Sequence, residues 1–503
     1  MVAGAFELAR AGLPGPSHAH GFGDKPDLPV PETLYWVGCI AAIALSFVLA
    51  ALFTRRTSTA SGYPTHDLLR HRAVRAMVER ASLLAPLKAA SVFLLLLTIA
   101  TGLAGSQAIV RNWAPTFVLV IWWIGMTFVQ VGIGNVWRVV NPWKALFEAL
   151  AALGIVRPRA EAPCRYPARL GVWPALVLFL GVVWLELIFP DTPHPRTLGV
   201  LAVAYSVVAL TGMYLFGMER WLHSCDPFAV FFAYLSRLSP TEVRVVGREV
   251  CRACSLGCEG DDACVDCYEC FARAPARQLN LRPYAAGLLT GERIGADRVA
   301  FIVLMLSAVT FDGLIRTIVW FDRFDIPKPF DPSLYVLAKP LLARANTLAL
   351  IIFFLAFLAV YYVCAALVGR CAGTGLGARE IARRFVIALV PIAVVYQLAH
   401  YTLFFALNGQ LIVRLISDPF GVGWNLFGTR LARLSLAFDP VLVWNYQIAI
   451  IVIGHVVAVY AAHLIALRAF GSPAVAVRSQ LPMLAVMILY TLAGLWLLST
   501  PSI

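Results

Sequence analysis

Residues Leu34 to Arg56 read LYWVGCIAAIALSFVLAALFTRR. The stretch from Leu34 to Phe53 carries no charge. It has the length of about 20 apolar residues that an α-helix needs to cross the hydrocarbon layer of a bilayer. Arg55 and Arg56 end it, and Arg70, Arg72, Arg75 and Arg80 follow. Lys and Arg collect on the cytoplasmic side of membrane helices. Residues 55–87 are therefore expected inside, and the N-terminal tail, residues 1–33, outside.

The rest of the chain has the same character. It has 503 residues, 60% of them hydrophobic and only 14% charged, with a mean hydropathy of +0.77. This is the profile of a polytopic membrane protein. About ten apolar segments are long enough to span, near 34–54, 88–108, 116–135, 171–190, 197–218, 299–320, 346–369, 385–408, 441–466 and 481–499. Alternating from the first span, the inner segments hold roughly 29 Lys and Arg and the outer ones roughly 11. An even number of spans places both termini outside. The net charge of +13 lies in loops between spans. It therefore reads as orientation and headgroup contact, and does not point to nucleic acid.

The expected organisation is an all-α integral membrane protein with five spans in 34–218 and five in 299–503. A polar cytoplasmic loop, 219–298, separates the two sets. Outside lie two sizeable loops, 321–345 and 409–440. Pro327, Pro329 and Pro332 argue against regular structure in the first. The second is aromatic and turn-rich, with Asp418-Pro419-Phe420-Gly421 and Gly423-Trp424-Asn425. Residues 1–30 lack the apolar stretch of a signal peptide. They either translocate as they stand or follow a misassigned start. The expected location is the cell's inner membrane.

The polar loop holds six cysteines in the pattern C-x2-C-x3-C-x5-C-x2-C-x2-C: Cys251, Cys254, Cys258, Cys264, Cys267 and Cys270. Cytoplasmic thiols stay reduced, which points to a metal rather than disulfides. Cys251-x2-Cys254 and Cys264-x2-Cys267 have the paired knuckles of a four-thiolate zinc site. Cys264-x2-Cys267-x2-Cys270 also matches the first three ligands of a ferredoxin-type iron–sulfur motif, though no x3-Cys-Pro follows. Cys258 and Cys225 are spare ligands under either reading. Such a site can also do no more than staple a loop too small to bury a core. Glu259, Asp261, Asp262, Asp266 and Glu269 are expected to be solvated.

Ionisable groups inside spans are costly and therefore informative. Asp312 and Arg316, four residues apart, can pair along one helix face. Tyr396, Gln397, His400 and Tyr401 cluster in the eighth span, and His455 and His463 recur in the ninth. Together Asp312, Arg316, Gln397, His400, Tyr401 and His455 can line a polar path for a proton, a metal ion or a small solute. The alternative is plain hydrogen bonding between helices. Glu186 and His463 are expected at the interfaces, and Gln130 and Asn135 as packing contacts. An outer His18-x-His20 is a weak metal motif.

Several segments carry a resemblance along nearly the whole chain. They are His20-Gly21-Phe22-Gly23-Asp24 with Asp27-Leu28-Pro29-Val30-Pro31, Asn141-Pro142-Trp143-Lys144 and Phe311-Asp312-Gly313. Ala399-His400-Tyr401, Ser417-Asp418-Pro419-Phe420-Gly421 and Ser479-Gln480-Leu481-Pro482-Met483 complete the set. Their order resembles a family of bacterial and archaeal polytopic membrane proteins often labelled fenitrothion hydrolase. The resemblance implies hydrolysis of an organophosphate triester, alone or with a partner subunit. That chemistry uses a metal-activated water, usually held by His and carboxylates. The sequence shows no dense His/Asp array and no G-x-S-x-G elbow, so no catalytic residue is carried over. Three functions are expected: a transporter-like component, a hydrolase, or a redox component bearing an iron–sulfur cluster. The expected partners are the lipid bilayer, a small solute or metal ion, and a further subunit.

Overall fold

The computed structural model describes residues 32–53, 63–156, 162–247, 249–252, 254, 256, 264–291, 294–317, 319–320, 332–434 and 439–500. Among them, nine helices are long and apolar enough to cross a membrane. They run Glu32–Phe53, Ala81–Ala104, Trp113–Gly132, Pro195–Phe216, Ala296–Ile315, Pro332–Ala372, Ala378–Asn408, Pro440–Phe470 and Pro473–Ser499. The third includes a wider π-helical stretch, Thr116–Trp122.

The segment expected as a span at 171–190 is helical over Trp173–Leu187, which is 15 residues. At 1.5 Å per residue this is about 22 Å, short of the ~30 Å hydrocarbon core. Prolines explain the length. Pro174 sits in the first turn, where its missing N–H costs nothing, and Pro190 lies just past the end. The outer segment 321–345 also departs from expectation, because the helix from Pro332 covers its second half. Proline at a helix start favours that conformation rather than breaking it.

The helix Ala296–Ile315 is the centre of the bundle, with 83% of its apolar window buried, against 6% for Leu83–Ala104. Leu83–Ala104 leaves Phe93 and Leu96 outward, as a lipid-facing helix does. The core is strongly aromatic. Trp123 stacks on Phe231 with centroids 5.2 Å apart, and Phe179 stacks on Phe231 at 5.1 Å. Phe231 belongs to a short helix, Pro227–Leu235, so the start of the 219–298 segment packs into the bundle rather than hanging from it. Helices Ala81–Ala104 and Pro195–Phe216 cross at glycines. A Cβ on Gly102 would stand 2.9 Å from Gly199 Cα, so both positions need the small residue.

Segments assigned to the same side by their charge meet in space. On one face a four-stranded antiparallel sheet gathers β1 (His66–Asp67), β2 (Thr241–Val245), β3 (Cys264–Val265) and β4 (Arg277–Leu281) in the order β1-β4-β2-β3. Thr241 pairs with Leu281, Val245 with Arg277, Val245 with Cys264, and His66 with Leu281. This sheet amends the all-α expectation. On the same face Thr241 Oγ1 donates to Ile133 O at 2.6 Å, Arg468 Nη1 to Leu289 O at 2.7 Å and Arg478 Nε to Cys371 O at 2.8 Å. On the other face Ser106 N donates to Phe420 O at 2.8 Å and Trp113 N to Pro419 O at 3.0 Å. There Asp418 accepts from Gly423 N at 2.8 Å and Val422 N at 3.0 Å, closing the expected turn-rich cap.

Candidate functional site

Five of the six motif cysteines are among the described residues, and Cys258 lies outside them. Cys251 sits on a short helix, Glu249–Arg252. Cys264 lies on β3, Cys267 caps the helix Tyr268–Arg273, and Cys270 is in its first turn. The turn between Cys264 and Cys267 depends on Asp266, whose φ of 58° is left-handed. Asp tolerates that region better than most residues. Asp266 N also donates to Val243 O at 2.8 Å, tying the turn to β2.

The sulfurs form two groups, Cys251–Cys264–Cys270 and Cys254–Cys267–Cys270, each with all its Sγ atoms within 4.8 Å of one another. Cys270 belongs to both and is 1% exposed. Cys254 and Cys267 Sγ are 3.8 Å apart. Hydrogen bonds from Cys254 and Cys264 hold the Cys267 thiol well below its ordinary range, which favours the thiolate that a metal requires. The donor set therefore fits a thiolate-bound metal ion. Cys225 is buried elsewhere, beside Tyr166, and joins neither group.

Two acids expected in solvent are structural instead. Glu269 is 3% exposed, pairs with Arg273 at 2.9 Å and accepts a long contact from Cys254 Sγ at 3.6 Å. Asp266 accepts from Arg237 at 3.3 Å and Arg282 at 3.1 Å. Arg282 continues the network to Glu242 Oε2 at 3.2 Å, and Tyr63 OH donates to the same oxygen at 2.6 Å. Asn280 Nδ2 and Arg244 Nε donate to Glu242 Oε1 at 3.0 and 2.8 Å. Burial opposes a charge on Glu242. The hydrogen bonds from Tyr63 and Asn280 and the charges of Arg244 and Arg282 outweigh it and hold the carboxyl below its usual range.

A second polar centre lies near the far end of the central helix. Asp312 is 1% exposed. Its Oδ1 accepts from Arg316 Nε at 2.8 Å, the pairing that their spacing implied. Its Oδ2 accepts from Tyr401 OH at 2.6 Å and meets His400 Nε2 at 2.8 Å. Glu186, expected at the interface, stands within electrostatic reach of Asp312 and Arg316 and accepts from Trp123 Nε1 at 2.9 Å.

The remaining polar residues divide. His455 is fully buried one helix away; its Nδ1 meets Ile451 O at 2.8 Å, and among the described residues its Nε2 has no partner. His455 faces Tyr490 at 6.4 Å between ring centroids, and Tyr490 OH is 2.8 Å from Thr310 Oγ1. His400 and His455 are thus on adjoining helices, with His400 against Asp312 and His455 against Tyr490. Gln397 is half-buried. Gln447 donates to Ala399 O at 2.9 Å, the plain interhelical contact. His463, expected at the interface, is buried and meets Gln480 Nε2 at 3.0 Å. Gln130 is fully buried, and among the described residues neither amide atom has a partner. His18 and His20 lie outside the described residues.

Comparison with protein-family models, curated proteins and solved structures gave no match.

Proposed function

We propose that this chain is a multi-pass inner-membrane protein that works as a transporter-like component coupled to a proton or cation. Its cysteine domain lies in the cytoplasm and both termini outside, an arrangement in which the short helix Trp173–Leu187 makes a tenth crossing beside the nine long helices. The observation that carries this reading is the buried Asp312 carboxylate, shared by Arg316, His400 and Tyr401 from two helices. An ionisable acid so deep in a bundle is costly and defaults to a functional role. Arg316 and Tyr401 both donate to it, and His400 Nε2 stands against its second oxygen. The seam through Tyr396, Tyr490 and His455 continues the polar line toward the sheet side. The orientation rests on the arginine-rich segments, which gather on the sheet face.

In this reading the cysteine motif holds a structural zinc ion. Zinc–thiolate bonds of about 2.3 Å place tetrahedral sulfurs about 3.8 Å apart, which is the Cys254–Cys267 spacing of 3.8 Å. A four-iron cluster spreads its thiolates over separate irons and needs a wider cage. Hydrolysis of a phosphotriester would need a metal-activated water, and the ligand groups among the described residues are all thiols. Release of nitrophenol by the purified protein, abolished by a chelator, would reinstate that reading.

The transport reading is tested by reconstitution in liposomes loaded with a pH-sensitive dye under an imposed membrane potential. Wild-type protein should admit protons, and Asp312→Asn, inserted to the same level, should not. Equal flux in the two proteins, or wild-type flux no greater than that of empty liposomes, would sink it.

A further inference from the structure

We propose that the cavity between the cysteine motif and the helix ends is a binding site for a phosphate-bearing anion, either a free phosphate compound or a phospholipid headgroup. The cavity holds about 300 Å³, the lower end of the range for small-ligand pockets. Four cationic side chains line it, Arg138, Lys144, Arg237 and Arg298, against one carboxylate, Asp266. That carboxylate is already engaged by Arg237 and Arg282. Trp137, also in the lining, is 3% exposed. The lining is therefore rich in cationic donors.

The cations are fixed in place. Lys144 pairs with Glu148 at 2.8 Å, Arg138 with Glu219, and Arg298 Nη2 meets His223 Nε2 at 2.6 Å. Burial lowers the basicity of both Lys144 and Arg138, a cost that an anion in the cavity offsets. Asn141 caps the helix Pro142–Ala152 at this wall by accepting from Lys144 N at 3.0 Å, so the positive end of that helix also faces the cavity. Guanidinium groups match phosphate oxygens in planar pairs.

The competing role for these cations is to balance the charge of a metal-bound Cys264 and Cys267 in the same lining. Charge balance alone does not call for an open volume of this size. The two sources of phosphate share one chemistry. The cavity sits where the central helix begins, at Arg298, which is the depth of lipid headgroups on that face.

The test uses the full-length, metal-loaded protein in a phosphate-free detergent. Pyrophosphate binding is measured by calorimetry, and phosphatidylglycerol retention by native mass spectrometry. One site per chain is expected. Arg298→Gln should weaken binding about tenfold or more, the loss of a charged hydrogen bond, with metal content unchanged. Arg430→Gln on the opposite face should bind as wild type. Lys144→Gln, from another helix, makes the same comparison where Arg298→Gln does not fold. Pyrophosphate binding assigns a free phosphate compound, and retention of phosphatidylglycerol alone assigns a headgroup. Binding of neither probe, wild-type binding by the variants, or loss of metal from them would overturn the proposal.

Discussion

His400 Nε2 and Asp312 Oδ2 stand 2.8 Å apart, joining the central helix to the helix that carries Ala399-His400-Tyr401 across 88 residues of sequence. Tyr401 adds a second bond to the same oxygen. Removing the acid leaves Arg316, His400 and Tyr401 without this acceptor. Asp312→Ala should therefore cost about 3–5 kcal/mol, the usual cost of breaking a buried charged pair. Asp312→Asn keeps the shape and should cost less. Thermal unfolding in detergent reads both, and an Asp312→Ala melting point equal to wild type would contradict the role given to this cluster.

The orientation makes a chemical prediction. Cys164 is exposed in the arginine-bearing segment after the third long helix. A membrane-impermeant maleimide should label it in inverted vesicles and not in intact cells. Labelling in intact cells would reverse the topology.

Anaerobically purified protein should carry about one zinc per chain and show no visible absorbance. Cys267→Ser and Cys270→Ser should lose the metal, and Cys225→Ala should keep it. A visible band that bleaches with dithionite would replace zinc by an iron–sulfur cluster and favour the redox function.

Acid should loosen the sheet domain in two stages. His223 is pushed down to about 3, by burial first and then by the Arg298 charge. The unfolded chain binds that proton near pH 6.5, so stability falls as pH drops from about 6.5 toward 3. Glu242 is also held below its usual range, so its contribution is full above about 4.3 and fades as pH falls below it. Hydrogen exchange measured against pH should show the His223 loss in the helix Met218–Ser224 and the Glu242 loss in β2 and β4. Glu242→Gln should remove the lower one, and an unchanged profile in that variant would reject the assignment.

Some of this was legible in the residues. The uncharged runs announced the long helices, the i, i+4 spacing announced Asp312–Arg316, and the C-x2-C pairs announced a thiol site. What was hidden depends on contacts distant in sequence. β1 is two residues long and pairs with Leu281 and Asn280, so no alternating pattern exposes it. His400 and Glu186 find Asp312 only through helix packing. Glu269 looked solvated because sequence shows its charge and not the wall of sulfur and helix that covers it. The fold of the cysteine segment was equally opaque, because Asp266 reads as an ordinary acid until its left-handed backbone is seen.

The pairing of His66 and Asp67 with β4 has a consequence for biosynthesis. A ribosome adds about 5–20 residues per second, so β1 waits roughly 10–40 s before Leu281 exists. During that interval three long apolar helices and the short helix Trp173–Leu187 are made. The strand can close its ladder only when these four helices leave residues 66–67 and 277–281 on one face. The little sheet is thus a clasp that shuts only on a first half threaded so that its two ends meet.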